Sequence, residues 1–114
     1  MMTGPGARQR KAQARIAAAL GQTGFALPGS LLWRTTACGK AGCHCQGDPP
    51  VLHGPYLTWT RTAAGKTVTR KISQDQQARY QPWFDNARKL RQLLTDLETL
   101  SIRAFEEAEG TSKR

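Results

Sequence analysis

A chain of 114 residues with 17 Lys and Arg against 8 Asp and Glu carries a formal net charge of +9, and only 39% of its residues are hydrophobic. So small and polar a chain builds one thin core, in the size range where a bound metal or an oligomeric partner adds needed stability. No apolar run approaches the roughly 20 residues of a membrane span, which excludes a membrane-embedded role through helices.

In chain order, residues 1–7 are rich in Gly and Pro and predict a disordered N-terminus. Residues 8–20 are good helix formers with Ala12, Ile16 and Leu20 one turn apart, and Gly21 is placed as a stop. This predicts a short basic helix, followed by a linker to Gly29, so that 8–29 form one segment. Its apolar stripe is narrow, as suits a helix that packs lightly or waits for a partner. The five apolar residues 16–20 are too few for a secretory leader, whose apolar part needs roughly 7 to 15, so a cytoplasmic location is expected.

Residues 30–36, 56–62 and 67–72 alternate as strands do, the last two separated by Ala63, Ala64, Gly65 and Lys66, a hairpin loop. Leu57, Trp59 and Arg61 share one side of their strand, and Val68, Arg70 and Ile72 one side of theirs. Trp33 and Trp59 are expected to pack within the sheet. Three such strands predict a small antiparallel sheet over 30–73, with Ser73 capping a helix that Pro82 should interrupt. Beyond it, Ala87, Leu90, Leu94, Leu97, Ser101, Ala104 and Ala108 recur at steps of three and four, widened by Leu93, Leu100 and Phe105. That heptad pattern predicts a helical arm over 74–108 that either packs at home or dimerises through 87–108, with 109–114 as a loose tail. The fold class expected is α+β: a three-stranded antiparallel sheet with a zinc knuckle, a basic N-terminal helix and a long C-terminal helix.

Chemistry concentrates between the first two strands. Cys38, Cys43 and Cys45 lie within eight positions, an odd number that no disulfide framework satisfies. Zinc takes four sulfur or imidazole donors in a tetrahedron, and Gly39 and Gly42 give the loop freedom to turn. A reversal through 47–50 returns His53 as the expected fourth ligand to Zn2+, with His44 as its competitor and Lys40 offsetting thiolate charge. A redox pair fits less well, because the third cysteine would be idle. The only acid near the cluster is Asp48, so no enzyme is expected.

The charge divides along the chain. Residues 1–71 hold Arg8, Arg10, Lys11, Arg15, Arg34, Lys40, Arg61, Lys66, Arg70 and Lys71 against Asp48 alone, whereas 72–114 are balanced. Such a basic half predicts a surface that meets phosphate, duplex DNA ahead of RNA.

The run of Gly29 to Arg34, then Cys38-Gly-Lys40, Cys43-His-Cys45, His53-Gly-Pro-Tyr56, a basic hairpin and a leucine helix resembles a family of small bacterial proteins of unknown function. The resemblance covers about 29–105 and leaves the N-terminal helix outside. Some members are associated with mobile genetic elements, and a nucleoid-associated place in a bacterial cytoplasm is expected if the chain binds DNA. In architecture, a basic hairpin leading into a helix is also similar to the small arm-site domains of tyrosine recombinases, whose three-stranded sheets enter DNA. That likeness implies that Arg61, Arg70 and Arg34 face bases, with Lys66 and Lys71 on phosphate, although Arg61 and Arg70 then share a side with apolar residues. The resulting expectation is a zinc-stabilised nucleic-acid-binding accessory protein. The alternative is an adaptor that docks its leucine helix on a recombinase or transposase.

Overall fold

The computed structural model describes residues 4–110, so the expected loose ends 1–3 and 111–114 lie outside the described residues. The elements run α1 (Ala7–Gly21), β1 (Ser30–Thr36), a 3-10 turn (His44–Gln46), β2 (His53–Ala63), β3 (Lys66–Lys71) and α2 (Gln74–Glu109). This is the α+β arrangement expected. Among the described residues no helix is long and apolar enough to cross a membrane. The chain forms two compact units, one of residues 28–82 and the other of the segments on either side of it.

In the first unit the sheet has the order β1-β2-β3, antiparallel throughout. Ala64 and Gly65, both at positive φ, make the tight turn of the β2–β3 hairpin. Register resolves what each strand alone left open. Trp59 pairs with both Leu31 and Arg70, and Thr60 with both Ser30 and Thr69. One face therefore carries Leu31, Trp33, Leu57, Trp59, Arg61, Val68 and Arg70; the other carries Leu32, Arg34, Tyr56, Thr58, Thr60, Thr62, Thr67, Thr69 and Lys71. Leu57 and Thr58 of the central strand are buried, and the Thr58 hydroxyl is satisfied by donating to the Leu32 carbonyl at 2.8 Å. The Trp59 indole N–H donates to the Pro28 carbonyl at 2.8 Å, and Gly29 lies close beneath the ring. Trp33, expected to pack, is 53% exposed on β1, which is an edge strand of the sheet.

β2 starts earlier than its alternation suggests. Arg34 pairs with Tyr56 but Thr36 with His53, so one residue of β1 opposes Gly54 and Pro55 of β2. This bulge accounts for the Gly-Pro pair. Pro55 has no N–H to give a ladder, and Gly54 takes φ +105, where a side chain would collide with the Arg34 carbonyl. The Gly54–Pro55 and Asp48–Pro49 peptides are cis.

Ser73 caps α2 as expected. Its hydroxyl accepts from the Gln76 N–H at 3.0 Å while the Gln76 side chain accepts from the Ser73 N–H at 2.9 Å, a reciprocal box worth about 1 kcal/mol. The expected break at Pro82 does not occur, and α2 runs through it. An internal proline costs about 3 kcal/mol, a cost that packing of the next turn offsets. Phe84 and Ala87 are buried there, the Phe25 ring lies 4.8 Å from Trp83, and Leu27 N–H donates to the Trp83 carbonyl.

In the second unit α1 runs antiparallel to the later part of α2, with Gln9 hydrogen-bonded to Glu107 and, past the end of α1, Asn86 donating to the Phe25 carbonyl. α1 is half-buried along Gln9, Ala12, Ile16, Ala19 and Leu20. Its C-terminus closes at Gln22 rather than Gly21. On α2 the half-buried line is Leu90, Leu93, Leu97, Leu100, Ala104 and Ala108. Leu94 and Ser101, assigned to the seam by their spacing, are exposed. The long helix has a neighbour within the chain.

Candidate metal centre

The cluster is assembled by the connection between β1 and β2. Gly42 takes φ +83 between the first two cysteines, and the Cys43 N–H reaches back to the Lys40 carbonyl. Gly39 needs no such freedom. The 3-10 turn then places Cys43 and Cys45 on either side of His44. The His44 carbonyl accepts from both Gly47 and Val51 N–H at 3.1 Å, which folds the chain back toward β2. His53, the first residue of β2 and the partner of Thr36, is thereby held at the end of the sheet beside the cysteines.

The four donor atoms of Cys38, Cys43, Cys45 and His53 all lie within 4.8 Å of one another. Cys38 Sγ stands 3.5 Å from Cys45 Sγ, and Cys43 Sγ 3.3 Å from His53 Nε2. A tetrahedral ion with bonds of about 2.0 to 2.3 Å separates its donors by roughly 3.5 to 3.8 Å, so the group fits one ion. His53 is the fourth donor. His44 is exposed, its ring centroid 5.1 Å from that of His53, outside the group of four.

A backbone amide of the ligand set and one residue outside it, Gln46, hold the sulfurs in place. The Cys38 N–H donates to Cys45 Sγ at 3.3 Å, and Gln46 Nε2 donates to the Cys38 carbonyl at 2.5 Å while lying 3.8 Å from Cys45 Sγ. Nothing in the sequence marks Gln46 for this role; only the turn after Cys45 brings it round. The Lys40 backbone N–H, with the neighbouring thiols of Cys45 and Cys43, holds the Cys38 thiol below its ordinary value. For Cys45 the Cys38 amide pulls the other way from the net effect: burial and the adjacent sulfurs outweigh it and hold this thiol above the ordinary value. In the metal-free protein, iodoacetamide should therefore modify Cys38 first and Cys45, only 3% exposed, last. Peptide mass mapping over time checks this order, and equal rates for the two would contradict the geometry. A bound ion should protect all three.

The basic residues are distributed rather than gathered. Arg8, Arg10, Lys11 and Arg15 are all exposed on α1. In the sheet unit, Arg34 and Lys71 lie on the threonine-bearing face and Arg61 and Arg70 on the apolar one, with Lys66 at the hairpin end and Lys40 in the metal loop. Arg61 is half-buried with its guanidinium 5.4 Å over the Trp59 ring, while the Lys71 ammonium sits 3.9 Å over Tyr56.

The model of the family described as a domain of unknown function (DUF6788) matches residues 7–82. The chain belongs to the DUF6788 family. The DUF6788 match takes in α1, the sheet and all four metal-site residues, and it stops at Pro82. It thus begins earlier than the resemblance read from the sequence, including the N-terminal helix, and ends before most of α2. No curated protein and no solved structure matches the chain.

Proposed function

We propose that this DUF6788 protein is a zinc-stabilised nucleic-acid-binding protein that acts on duplex DNA in an accessory or regulatory capacity, in the setting of a mobile element. The ion is zinc because three thiolates and one imidazole are its preferred structural donor set, and four protein ligands leave no open position for catalysis. The observation that carries the DNA reading is charge placement. Ten basic residues against one acid occupy residues 1–71, and those on α1 and all in the sheet unit but Arg61 are exposed. A duplex, with one negative charge per about 1.7 Å of axis, complements such a chain.

A second reading rests on a different observation. Leu94, Ile102 and Phe105 of α2 are 52%, 60% and 65% exposed, large apolar side chains that an adaptor or homodimer would cover. In that reading α2 docks on a recombinase, a transposase or a second copy, and charge only brings the chain near DNA.

Salt separates the two. For protein purified without added metal, the expected content is one zinc per chain. Duplex binding in a mobility shift should weaken by about 0.9 log unit per log unit of salt for each phosphate neutralised, and should be lost on chelation. An apolar interface is far less sensitive to salt. Zinc without duplex or RNA binding at low salt leaves the adaptor reading; a chain that purifies without metal overturns the zinc assignment.

A further inference from the structure

The five threonines of β2 and β3 are Thr58, Thr60, Thr62, Thr67 and Thr69, and register places all five on one face of the sheet. Threonine's preference for strands explains its presence in them, but not its confinement to one side. The opposite side of the same two strands presents Leu57, Trp59, Arg61, Val68 and Arg70. Thr60 pairs with Thr69 and Thr62 with Thr67, so four threonines form a rectangular array, with Cβ atoms about 5 Å apart across the strands and residues roughly 6.7 Å apart along them. The Thr60 and Thr69 hydroxyls are 3.3 Å apart. Thr62, Thr67 and Thr69 are exposed.

Two cations stand on this face, and both are exposed. Arg34 on β1 pairs with Tyr56, and Lys71 on β3 pairs with Thr58 and lies over the Tyr56 ring. No ion pair with a carboxylate is formed by either among the described residues: the acids of this unit are Asp48, in the loop between β1 and β2, and Asp75, in the first turn of α2. Exposed hydroxyl donors and exposed cations match phosphate oxygens, which only accept hydrogen bonds; Thr58, buried and bonded to the Leu32 carbonyl, is not among those donors. This face matches an apolar protein partner poorly, since docking one would strand the hydroxyls without hydrogen bonds. On the other face Arg70 is exposed as well, but Arg61 is half-buried against Trp59, which leaves that face one freely exposed arginine.

We infer that the threonine face of the sheet, with Arg34 and Lys71, is the surface that lies along the sugar–phosphate backbone of duplex DNA. This rests on the nucleic-acid reading above and goes beyond it in choosing one of two basic faces and giving the hydroxyls a function. Arg34 and Lys71 supply charge; Thr67 and Thr69 supply neutral donors.

The test compares zinc-loaded full-length protein with three double variants on one 30-bp duplex across a salt series, each variant first shown to retain its zinc and its circular dichroism. Arg34→Gln with Lys71→Gln should weaken binding roughly tenfold or more and lower the salt slope by about 1.8. Thr67→Val with Thr69→Val, which keeps shape and strand preference, should weaken binding roughly fivefold with the slope unchanged. Arg61→Gln with Arg70→Gln removes the same charge from the other face and should cost several-fold less than the first pair. If this last pair costs as much or more, the face assignment is wrong while DNA binding stands. If the threonine pair binds as the parent does, the hydroxyls have no such function. If the parent itself holds no duplex at low salt, the nucleic-acid reading fails and takes this inference with it.

Discussion

Cys45→Ser should lose its metal and its sheet together. Cys45 is the most buried ligand, and a serine hydroxyl cannot supply the thiolate that zinc requires. Structural zinc sites bind with apparent free energies of about 10 to 16 kcal/mol, as large as the roughly 5 to 15 kcal/mol that stabilises a whole domain. Apart from Cys45 itself, the sheet unit buries only Leu57 and Thr58, too little apolar surface to replace that contribution. The expected result is near-zero zinc by elemental analysis and loss of the strand signal in circular dichroism. His53→Ala should weaken binding less drastically and change the spectrum of the cobalt-substituted protein, whereas His44→Ala should leave both content and spectrum intact. A Cys45→Ser protein with one ion per chain and an unchanged melting curve would show that the cluster is not the structural centre.

Gly54→Ala is the second large effect. A methyl group at position 54 would sit 2.9 Å from the Arg34 carbonyl and 2.8 Å from the Tyr56 N–H nitrogen, both backbone atoms of paired strands, at a φ of +105. Neither strand can yield without shifting the register that holds His53 beside the cysteines. The expected cost is about 2 to 4 kcal/mol, with zinc affinity falling alongside stability, as denaturant titrations at saturating and trace zinc would show. Gly39→Ala is the control: its added methyl meets nothing within 4 Å, its backbone needs no left-handed geometry, and it should behave as the parent.

What could be read from the sequence was what depends on neighbours in the chain. Cys38, Cys43 and Cys45 announced a metal-ligand group because donor chemistry and short spacing mark it, with His53 expected ahead of His44, and Ser73 announced a cap because its partner Gln76 is three residues away. Quantities decided at long range were hidden. Alternation gave each strand two sides, but only the pairing of Trp59 with Leu31 and Arg70 united them into faces and put Lys71 on the face of Thr58 and Arg34. Pro82 read as a break because local cost was visible and the burial of Phe84 and Ala87 was not. Leu94 read as seam because steps of three and four suit 93 and 94 almost equally. The approach of α1 to α2 decides for Leu93.

The connection between β1 and β2 spans residues 37–52, whereas β2 and β3 are joined by two residues. A two-residue turn closes cheaply and fast, so the β2–β3 hairpin can form from the local chain alone; docking β1 requires closing a loop of 16 residues before any ladder bond compensates. With three ligands inside that loop and the fourth at its far end, the ion divides one long closure into several short ones. With zinc bound as proposed, the site would act on the order of assembly as well as on the finished sheet: β1 would join when the ion arrives, and zinc supply would become a kinetic condition for building the sheet's basic surface.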